Sequence, residues 1–320
     1  MKLGVFTVLF GTKPFEEMLD CVVELGLEAV EIGTGAYPGD AYCKPDELLA
    51  SGKKLQAFKQ AIKRRGLTIS ALSCHGNPLH PQAKRAEADH AVFMRTLELA
   101  RKLGVDTVIN FSGCPGGDAK AEQPNWIVSP WPPEFPKMLA WQWRERVTPY
   151  WKQAAKAARA AGVRVAIEMH PNFVVYHPES MLRLREIAPK TIGCNFDPSH
   201  MIWQQVDVPS AIRALAGSIF HVHAKDCRVD QANTMVNGVL DSKNYTKEID
   251  RSWIFRTVGY GNDALFWKDM ISNLRLAGYD GVVSIEHEDS LMTGDEGLKK
   301  AIAFLKPLII REPAGKAYWA

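Results

Sequence analysis

Short apolar runs alternate with longer amphipathic segments along this 320-residue chain. The apolar runs are roughly four to eight residues long and end in breaking residues, a pattern that is typical of buried parallel strands. The longer segments place apolar residues at helical spacing, and several stop at a glycine, which commonly follows the last turn of a helix. The pattern therefore predicts eight successive strand–helix units.

Strands are predicted at 3–9, 28–33, 67–73, 107–111 and 281–285, and at the start of the segments 164–171, 192–200 and 219–226. Helices are predicted at 14–25, 45–65, 86–103, 135–161 with a bend at Pro149, 178–187, 209–216, 263–276 and 297–310. Eight such units predict an α/β fold, a (β/α)8 TIM barrel. An open doubly wound sheet is the main alternative, but no G-x-G-x-x-G sequence follows the first strand.

Two long segments interrupt the alternation, at about 112–134 and 227–262. The first is rich in proline and glycine and contains Trp126 and Trp131, so it is interpreted as a lid, a binding loop or an interface. No Gly/Ser-rich linker, charge block or low-complexity tract divides the chain. We therefore predict one barrel domain over residues 1–320, with the two segments as insertions.

Composition narrows the classes of function. Hydrophobic residues make up 46% of the chain and charged residues 23%, and the net charge is +3. A charge this small gives no electrostatic basis for binding nucleic acid or an anionic membrane. The apolar N-terminal run is too short to span a membrane and lacks a signal-peptide cleavage pattern. The six cysteines are scattered without a C-x-x-C pair, which favours free thiols in a reducing cytoplasm.

Acidic and imidazole side chains end four of the predicted strands. They are Glu168, Asp197, His223 and Glu286. The carboxyl ends of TIM-barrel strands meet at one face, where active sites lie, so we expect these side chains to converge. Three carboxylates and one imidazole suit a hard divalent cation, and the imidazole favours Mn²⁺, Co²⁺ or Zn²⁺. The alternative is a set of buried ion pairs with nearby Lys and Arg residues.

Further polar residues lie around the same strand ends, and each has two interpretations. The candidate substrate contacts are His75, Asn110, His170, His200, Lys225 and Arg228. The alternatives are local hydrogen bonds for His75 and Asn110, capping for His200, a place on the solvent-exposed rim for His170, and neutralisation of the carboxylates for Lys225 and Arg228.

The ligand set itself has alternatives. His221 and His223 share one strand face, so either could be the ligand, although His223 lies nearer the carboxyl end. Glu31 on the second strand could reach the site or form a salt bridge. Thiolate ligation by Cys194 or Cys227, next to the ligand-bearing strand ends, is a further alternative.

Four segments carry a resemblance to a known family. They are IEMHP at 167–171, FDPSH at 196–200, HVHAKD at 221–226 and SIEHED at 284–289. They resemble the xylose-isomerase-like TIM barrels of the sugar phosphate isomerase/epimerase family, which includes ketose 3-epimerases, inosose dehydratases, hydroxypyruvate isomerases and subunits that cleave 3-keto C-glycosides. The resemblance covers roughly residues 1–310. It implies metal ligation by Glu168, Asp197, His223 and Glu286, and substrate contact by His200 and Arg228.

These observations predict a divalent-metal-dependent sugar isomerase or epimerase that transfers a proton next to a carbonyl through an enediolate. Glu168 and Glu286 are the predicted acid–base residues, and one cation, Mn²⁺ before Mg²⁺, Co²⁺ or Zn²⁺, would hold two substrate oxygens. A lyase of the same family, either an inosose dehydratase or a 3-keto-glycoside C-deglycosidase subunit, is the main alternative because its reaction begins with the same proton abstraction. An endonuclease-IV-type DNA repair nuclease and a non-catalytic binding protein are the others.

The predicted partner is a small sugar, keto sugar or polyol, with no nucleic acid and no membrane. No Gly-rich phosphate cradle is visible, so we expect that the substrate need not carry a phosphate. The long insertions leave room for a glycoside or for a small partner subunit. We therefore expect a cytoplasmic homo-oligomer, or a hetero-oligomer with such a subunit.

Overall fold

Eight parallel strands close into a barrel, and helices surround it. The structure is a computed structural model that describes residues 1–11, 13–313 and 315–319. The other three positions of the predicted 1–320 domain lie outside the described residues. Each strand of the barrel lies beside the one before it in the chain, and the last one pairs with the first. The predicted α/β TIM barrel is therefore confirmed.

The barrel strands are β1 (Lys2–Phe6), β2 (Ala29–Gly33), β3 (Thr68–Ser73), β4 (Thr107–Phe111), β5 (Arg164–Glu168), β6 (Ile192–Phe196), β7 (Ile219–Ala224) and β10 (Val282–Ile285). A separate antiparallel hairpin is formed by β8 (Asp226–Val229) and β9 (Trp253–Arg256).

The helices are α1 (Phe15–Glu24), α2 (Pro45–Ala50), α3 (Gly52–Lys63), α4 (Ala83–Leu103), α5 (Glu134–Trp141), α6 (Thr148–Ala160), α7 (Pro178–Arg185), α8 (Pro198–Trp203), α9 (Val208–Ala214), α10 (Gln231–Asn237), α11 (Ala264–Leu276) and α12 (Gly294–Leu305). Short 3-10 helices lie at Thr7–Phe10 and Glu248–Asp250, and a π-helix at Gln142–Val147 joins α5 to α6.

The barrel interior contains both apolar and polar side chains. Ala71, Ile109 and Ala166 form a small buried apolar cluster against the ring of Phe220. Gly193 of β6 makes room for that ring, because a Cβ atom there would lie 2.5 Å from it. The wholly or almost wholly buried polar side chains inside the barrel include Glu31, Ser73, Asn195, His221, His223 and Ser284.

Helices cover the outer faces of the strands with one large apolar cluster. Trp151 of α6 and Trp267 of α11 are among its largest wholly buried side chains. In the part of the chain that the structure describes, no helix combines the length and the apolar character needed to cross a membrane. All six cysteines are free.

Some predicted element boundaries are wrong. The first strand stops at Phe6 and turns into the 3-10 helix. The helix expected at 45–65 is two helices, because Ser51 has extended backbone and its side chain accepts a hydrogen bond from the Lys54 amide, which begins α3. The irregularity in the helix at 135–161 is the π-helix, whereas Pro149 lies in the first turn of α6, where proline is tolerated.

The first insertion is held in place by Gln142 of the π-helix. Its Nε2 group donates to the carbonyl oxygens of Pro115, Gly116 and Asn125 at 3.2, 3.1 and 2.7 Å. Trp126 packs edge-on against Tyr176, with 5.4 Å between the ring centroids. The insertion up to Trp126 is therefore attached to the barrel by both polar and aromatic contacts.

The second insertion contains the β8–β9 hairpin and α10, which the sequence analysis did not predict. Asp226 fixes its two ends together, since its buried carboxylate accepts from the backbone amides of Cys227, Gly259, Gly261 and Asn262. The side-chain Nδ2 of Asn262 and the Nε1 of Trp267 donate to this carboxylate as well. A Cβ atom on Gly261 would lie 2.5 Å from Asp226 Oδ1, so this close approach requires glycine.

Candidate metal centre

Four side chains converge where the strands of the barrel end. Glu168 ends β5, Asp197 follows β6, His223 lies near the end of β7, and Glu286 follows β10. One ligating atom from each lies within 4.8 Å of the others. The structure thus brings together the four residues that the sequence analysis singled out as metal ligands.

The ligating atoms face one another closely. His223 Nδ1 is 2.9 Å from Glu286 Oε2 and 3.3 Å from Glu168 Oε2. Asp197 Oδ1 accepts from the Ser199 amide at 2.8 Å, which caps α8 and leaves Oδ2 for the site. Asp197 Oδ2 and Glu286 Oε2 are buried, and neither has a well-aligned hydrogen bond among the described residues. Such a donor set fits a divalent cation.

The centre contains carboxylates and positively charged side chains that shift one another's pKa values. Burial disfavours ionisation of Glu168, but His75 and His223 hold its pKa well below the ordinary value. Burial likewise disfavours the Glu286 anion, and Lys225 and His223 lower its pKa. Burial works against a charged His223, but the surrounding carboxylates raise its pKa well above the ordinary value. The residues that could hold a metal ion are therefore also ion-paired with one another.

Lys225 is the cation of these ion pairs. Its buried Nζ lies 3.0 Å from Asp197 Oδ2, 3.1 Å from Glu286 Oε2 and 3.0 Å from Glu288 Oε2. Burial lowers its pKa, but these carboxylates raise the pKa well above the ordinary value. The ammonium group also lies 4.8 Å from the ring centroid of Phe255 in the hairpin. Lys225 is therefore ion-paired with three carboxylates, while its predicted contact with substrate stays a prediction.

Besides His223, three imidazoles lie near Glu168. His75 Nε2 is 2.9 Å from Glu168 Oε2, and His200 Nε2 is 3.5 Å from Glu168 Oε1. His170 packs against His200 with 4.3 Å between the ring centroids, and its Nδ1–H donates to the Pro171 carbonyl at 2.7 Å. Burial, helped by His200, lowers the pKa of His170 to about 3, so this ring is neutral.

Two other predicted substrate residues lie differently. Asn110 Oδ1 accepts from the amides of Gly76 and Phe111, which orders the loop that carries His75, while its buried Nδ2 has no hydrogen-bond partner among the described residues. Arg228 is exposed on the hairpin, and its Nη1 donates to the Gly261 carbonyl at 3.2 Å. Among the described residues, Arg228 forms no hydrogen bond or ion pair with the four-residue cluster.

The alternative ligands lie outside the four-residue cluster. His221 Nδ1 is 2.9 Å from Asn195 Oδ1, and its Nε2 is 3.1 Å from Ser70 Oγ, so it is bonded deeper in the barrel. Cys194 and Cys227 are buried, and burial raises the pKa of each thiol well above the ordinary value. Within the described residues, neither thiol belongs to a group with metal-ligating geometry.

The sequence analysis missed several residues that contact the centre. Asn195 Nδ2 donates to Glu168 Oε2 at 2.8 Å, and its place two residues before Asp197 on β6 could have revealed it. Phe111 lies 4.6 Å from His75 and 4.7 Å from His170 between ring centroids. Apolar residues at strand ends carry no sequence signal that separates a site wall from ordinary core.

Comparison with known proteins agrees with the fold. The model of the xylose isomerase-like TIM barrel family matches residues 19–308, so the chain belongs to this family. The uncharacterized protein YfiH of Bacillus subtilis (strain 168) is 39% identical over 312 residues, which cover 97% of this chain and 99% of that protein. The resemblance expected from the four segments is confirmed.

Two solved structures share the barrel over nearly their whole length. The probable 3-DHS dehydratase AsbF of Bacillus anthracis has a TM-score of 0.68 at 16% identity, covering 96% of this chain and 99% of its own. The 3-keto-D-glucoside 4-epimerase YcjR of E. coli has a TM-score of 0.65 at 17% identity, with the same coverage of 96% and 99%. At these identities the likeness concerns the fold alone.

Proposed function

We propose that this protein is a divalent-metal-dependent sugar isomerase or epimerase that transfers a proton next to a carbonyl group. The observation that carries this proposal is the approach of Glu168 and Glu286 to the same atom, His223 Nδ1, at 3.3 and 2.9 Å. They come from strands three places apart around the barrel, so they reach it from different sides. The shared fold with the epimerase YcjR supports a sugar substrate.

Glu168, Asp197, His223 and Glu286 would hold the cation, and Mn²⁺ is our first expectation, before Mg²⁺, Co²⁺ or Zn²⁺. When bound, a divalent cation supplies Lewis-acid polarisation of the substrate carbonyl and steadies the charge of the enediolate. The two buried carboxylate oxygens without aligned hydrogen bonds support this assignment.

Glu168 and Glu286 transfer the proton. One carboxylate removes a proton from the carbon next to the carbonyl, which leaves an enediolate. In an epimerisation the other carboxyl group, which has taken up a proton from water beforehand, gives that proton to the opposite face of the same carbon, and both groups then exchange protons with water. In an isomerisation a proton goes to the neighbouring carbon instead.

The residues around Glu168 bind and orient the substrate. His75, His200 and the neutral His170 offer ring nitrogens to sugar hydroxyl groups, and the unpartnered Asn110 Nδ2 offers an N–H. Lys225 places a charge beside Glu286 at 3.1 Å. For Arg228, substrate contact stays a prediction, because its guanidinium donates to Gly261 on the hairpin.

A dehydratase is the second candidate function. The Lys225 ammonium, 3.1 Å from Glu286 Oε2, places a positive charge beside a predicted base, where it would stabilise a departing hydroxyl group. The fold shared with the probable dehydratase AsbF supports the same idea. Both reactions begin with removal of a proton and differ in whether a carbon–oxygen bond then breaks.

The test is incubation of the Mn²⁺-loaded protein with ketoses, inososes and 3-keto glycosides in D₂O, followed by mass spectrometry. An isomerase or epimerase incorporates deuterium without changing the elemental composition, whereas a dehydratase product lacks one water. Metal-free protein is the control and should be inactive. Phosphorylated members of the panel test our expectation that phosphate is not required. Absence of exchange and of product across the panel would contradict both functions.

We further propose a cytoplasmic protein that acts without nucleic acid or membrane partners. The six free cysteines support a reducing compartment. Met235, Val236 and Ile249 on the second insertion are 86, 82 and 87% exposed, which supports contact with another protein chain there. Light scattering after size-exclusion chromatography would be measured on the chain purified by itself and on the protein isolated from its native host. The two molar masses would distinguish a homo-oligomer from a complex with a small subunit.

A further inference from the structure

Glu31 of β2 lies inside the barrel, next to the candidate metal centre, and is wholly buried. The Ser73 hydroxyl donates to its Oε1 at 2.6 Å, and the Ser284 hydroxyl donates to its Oε2 at 2.8 Å. His223 Nε2 lies 3.0 Å from each of the two oxygens. A second imidazole, His221, is farther away at 3.9 Å. The closest partner that can balance this buried charge is therefore His223.

This contact decides which nitrogen of His223 keeps its proton when the other nitrogen binds a cation. An ionised carboxylate only accepts hydrogen bonds, so His223 Nε2 must be the donor. His223 Nδ1, on the other edge of the ring, then faces Glu168 and Glu286 at 3.3 and 2.9 Å. A histidine that ligates a metal through one nitrogen commonly donates its other N–H to a carboxylate, which fixes the ring and strengthens the ligand.

We propose that Glu31 is a positioning residue of the metal centre, which holds the proton of His223 on Nε2 and so presents Nδ1 as the ligating atom. The inference rests on the proposed cation site of Glu168, Asp197, His223 and Glu286. The two serine hydroxyls keep the Glu31 carboxylate facing the ring, because they occupy its remaining acceptor positions.

The first experiment measures metal affinity without substrate. Metal-free native protein and the Glu31→Gln variant are titrated with Mn²⁺ by calorimetry, and we expect the variant to bind about 10- to 100-fold more weakly. The control is Glu28→Gln, the same change just before β2, where Glu28 contacts the Leu3 amide and Arg311. Its Mn²⁺ affinity should equal that of the native protein.

The outcomes separate this inference from the proposed function. If the native protein binds no Mn²⁺ or other divalent cation, the metal site itself is refuted. If the native protein binds Mn²⁺ and Glu31→Gln binds it equally well, only the role of Glu31 is refuted. A purely structural role would lower the melting temperature of the metal-free variant and leave its metal affinity unchanged.

A second measurement needs no substitution and so does not depend on how well a variant folds. Native protein labelled with ¹⁵N-histidine is loaded with ¹¹³Cd²⁺ and studied by NMR. We expect coupling between cadmium and Nδ1 of His223, together with a proton directly bonded to Nε2. Cadmium coupling to Nε2 of His223 would overturn the proposal.

Discussion

Glu168 and Glu286 meet at His223 but have different surroundings. The side chain of Glu168 is 4% exposed and also contacts His75 and Asn195. The side chain of Glu286 is 13% exposed and contacts Lys225. The two carboxylates therefore share His223, but each also has a contact that the other lacks.

Glu168→Gln and Glu286→Gln should each reduce kcat by about 10²- to 10⁴-fold, since an amide cannot take up the substrate proton. Turnover and metal content, the latter by elemental analysis, would be measured on the same samples. The exchange of substrate hydrogen with D₂O assigns the order: exchange that persists in Glu286→Gln makes Glu168 the first base. Near-normal turnover of metal-loaded Glu168→Gln would rule out its assignment as a base.

Asp241, in the second insertion, couples stability to pH. Its Oδ2 accepts from the Ser252 amide at 2.7 Å and its Oδ1 from the Lys243 amide at 2.9 Å. Burial opposes ionisation, but these bonds and the Lys243 ammonium lower the Asp241 pKa from 3.8 to about 2. Because the folded pKa is the lower one, the stabilisation is full above about pH 4 and is lost as the pH falls toward 2.

Asp241→Asn should therefore lower the free energy of unfolding by on the order of 2 kcal/mol near pH 7. The difference from the native protein should shrink as the pH falls from about 4 toward 2. This difference would be measured by urea unfolding at several pH values. The control is Asp250→Asn, the same change at an exposed position. A difference that stays constant over this range would contradict the linkage.

At the scale of elements, Asp226 joins the start of the hairpin to the turn at 259–262. Asp226→Ala leaves at least four buried or partly buried amide donors without an acceptor, so we expect a loss on the order of 3 kcal/mol. Urea unfolding measures the loss, and hydrogen exchange should localise it to 257–263.

The matched control is Asp230, which caps α10 through one bond to the Asn233 amide at 2.8 Å. Asp230→Ala should cost only about 1 kcal/mol, as for other helix caps. Equal losses from the two substitutions would show that Asp226 is an ordinary cap and not the joint between the insertion and the barrel.

Local patterns predicted the barrel elements well and the insertions poorly. Apolar runs revealed all eight barrel strands, because strands buried on both faces need them. Helix α8 was missed because Asp197-Pro198 follows the strand at once, leaving no polar loop to separate the two elements. The hairpin strands pair across more than twenty residues of chain, and nothing local in the sequence encodes that pairing.

The site shows the same division between local and distant information. The four candidate ligands were found because each follows a recognisable strand, and a barrel brings strand ends together. The contacts of Phe255 with Lys225 and His200 depend on how the hairpin folds back over the mouth. These contacts join residues that are far apart in the sequence, and the spacing of apolar residues along the chain does not predict such contacts.

For the whole molecule, cation binding should raise stability. A ligand that binds only the folded state at about 100 times its Kd adds about 2.7 kcal/mol, which raises the Tm by several degrees in a protein of this size. The Tm of metal-free protein would be measured with increasing Mn²⁺. His223→Ala should abolish the rise, and a Tm in the native protein that does not respond to Mn²⁺, Mg²⁺, Co²⁺ or Zn²⁺ would contradict the site.

The π-helix at Gln142–Val147 acts as a surplus residue within an otherwise continuous helix. Deleting one residue after Gln142 would let α5 and α6 merge, and would rotate α5 and Gln142 by about 100° around the helix axis relative to α6. Gln142 would then turn away from carbonyl groups that lie 17 to 27 positions earlier in the chain. A relative that lacks one residue at this point in an alignment is therefore expected to hold its first insertion in place by a different contact.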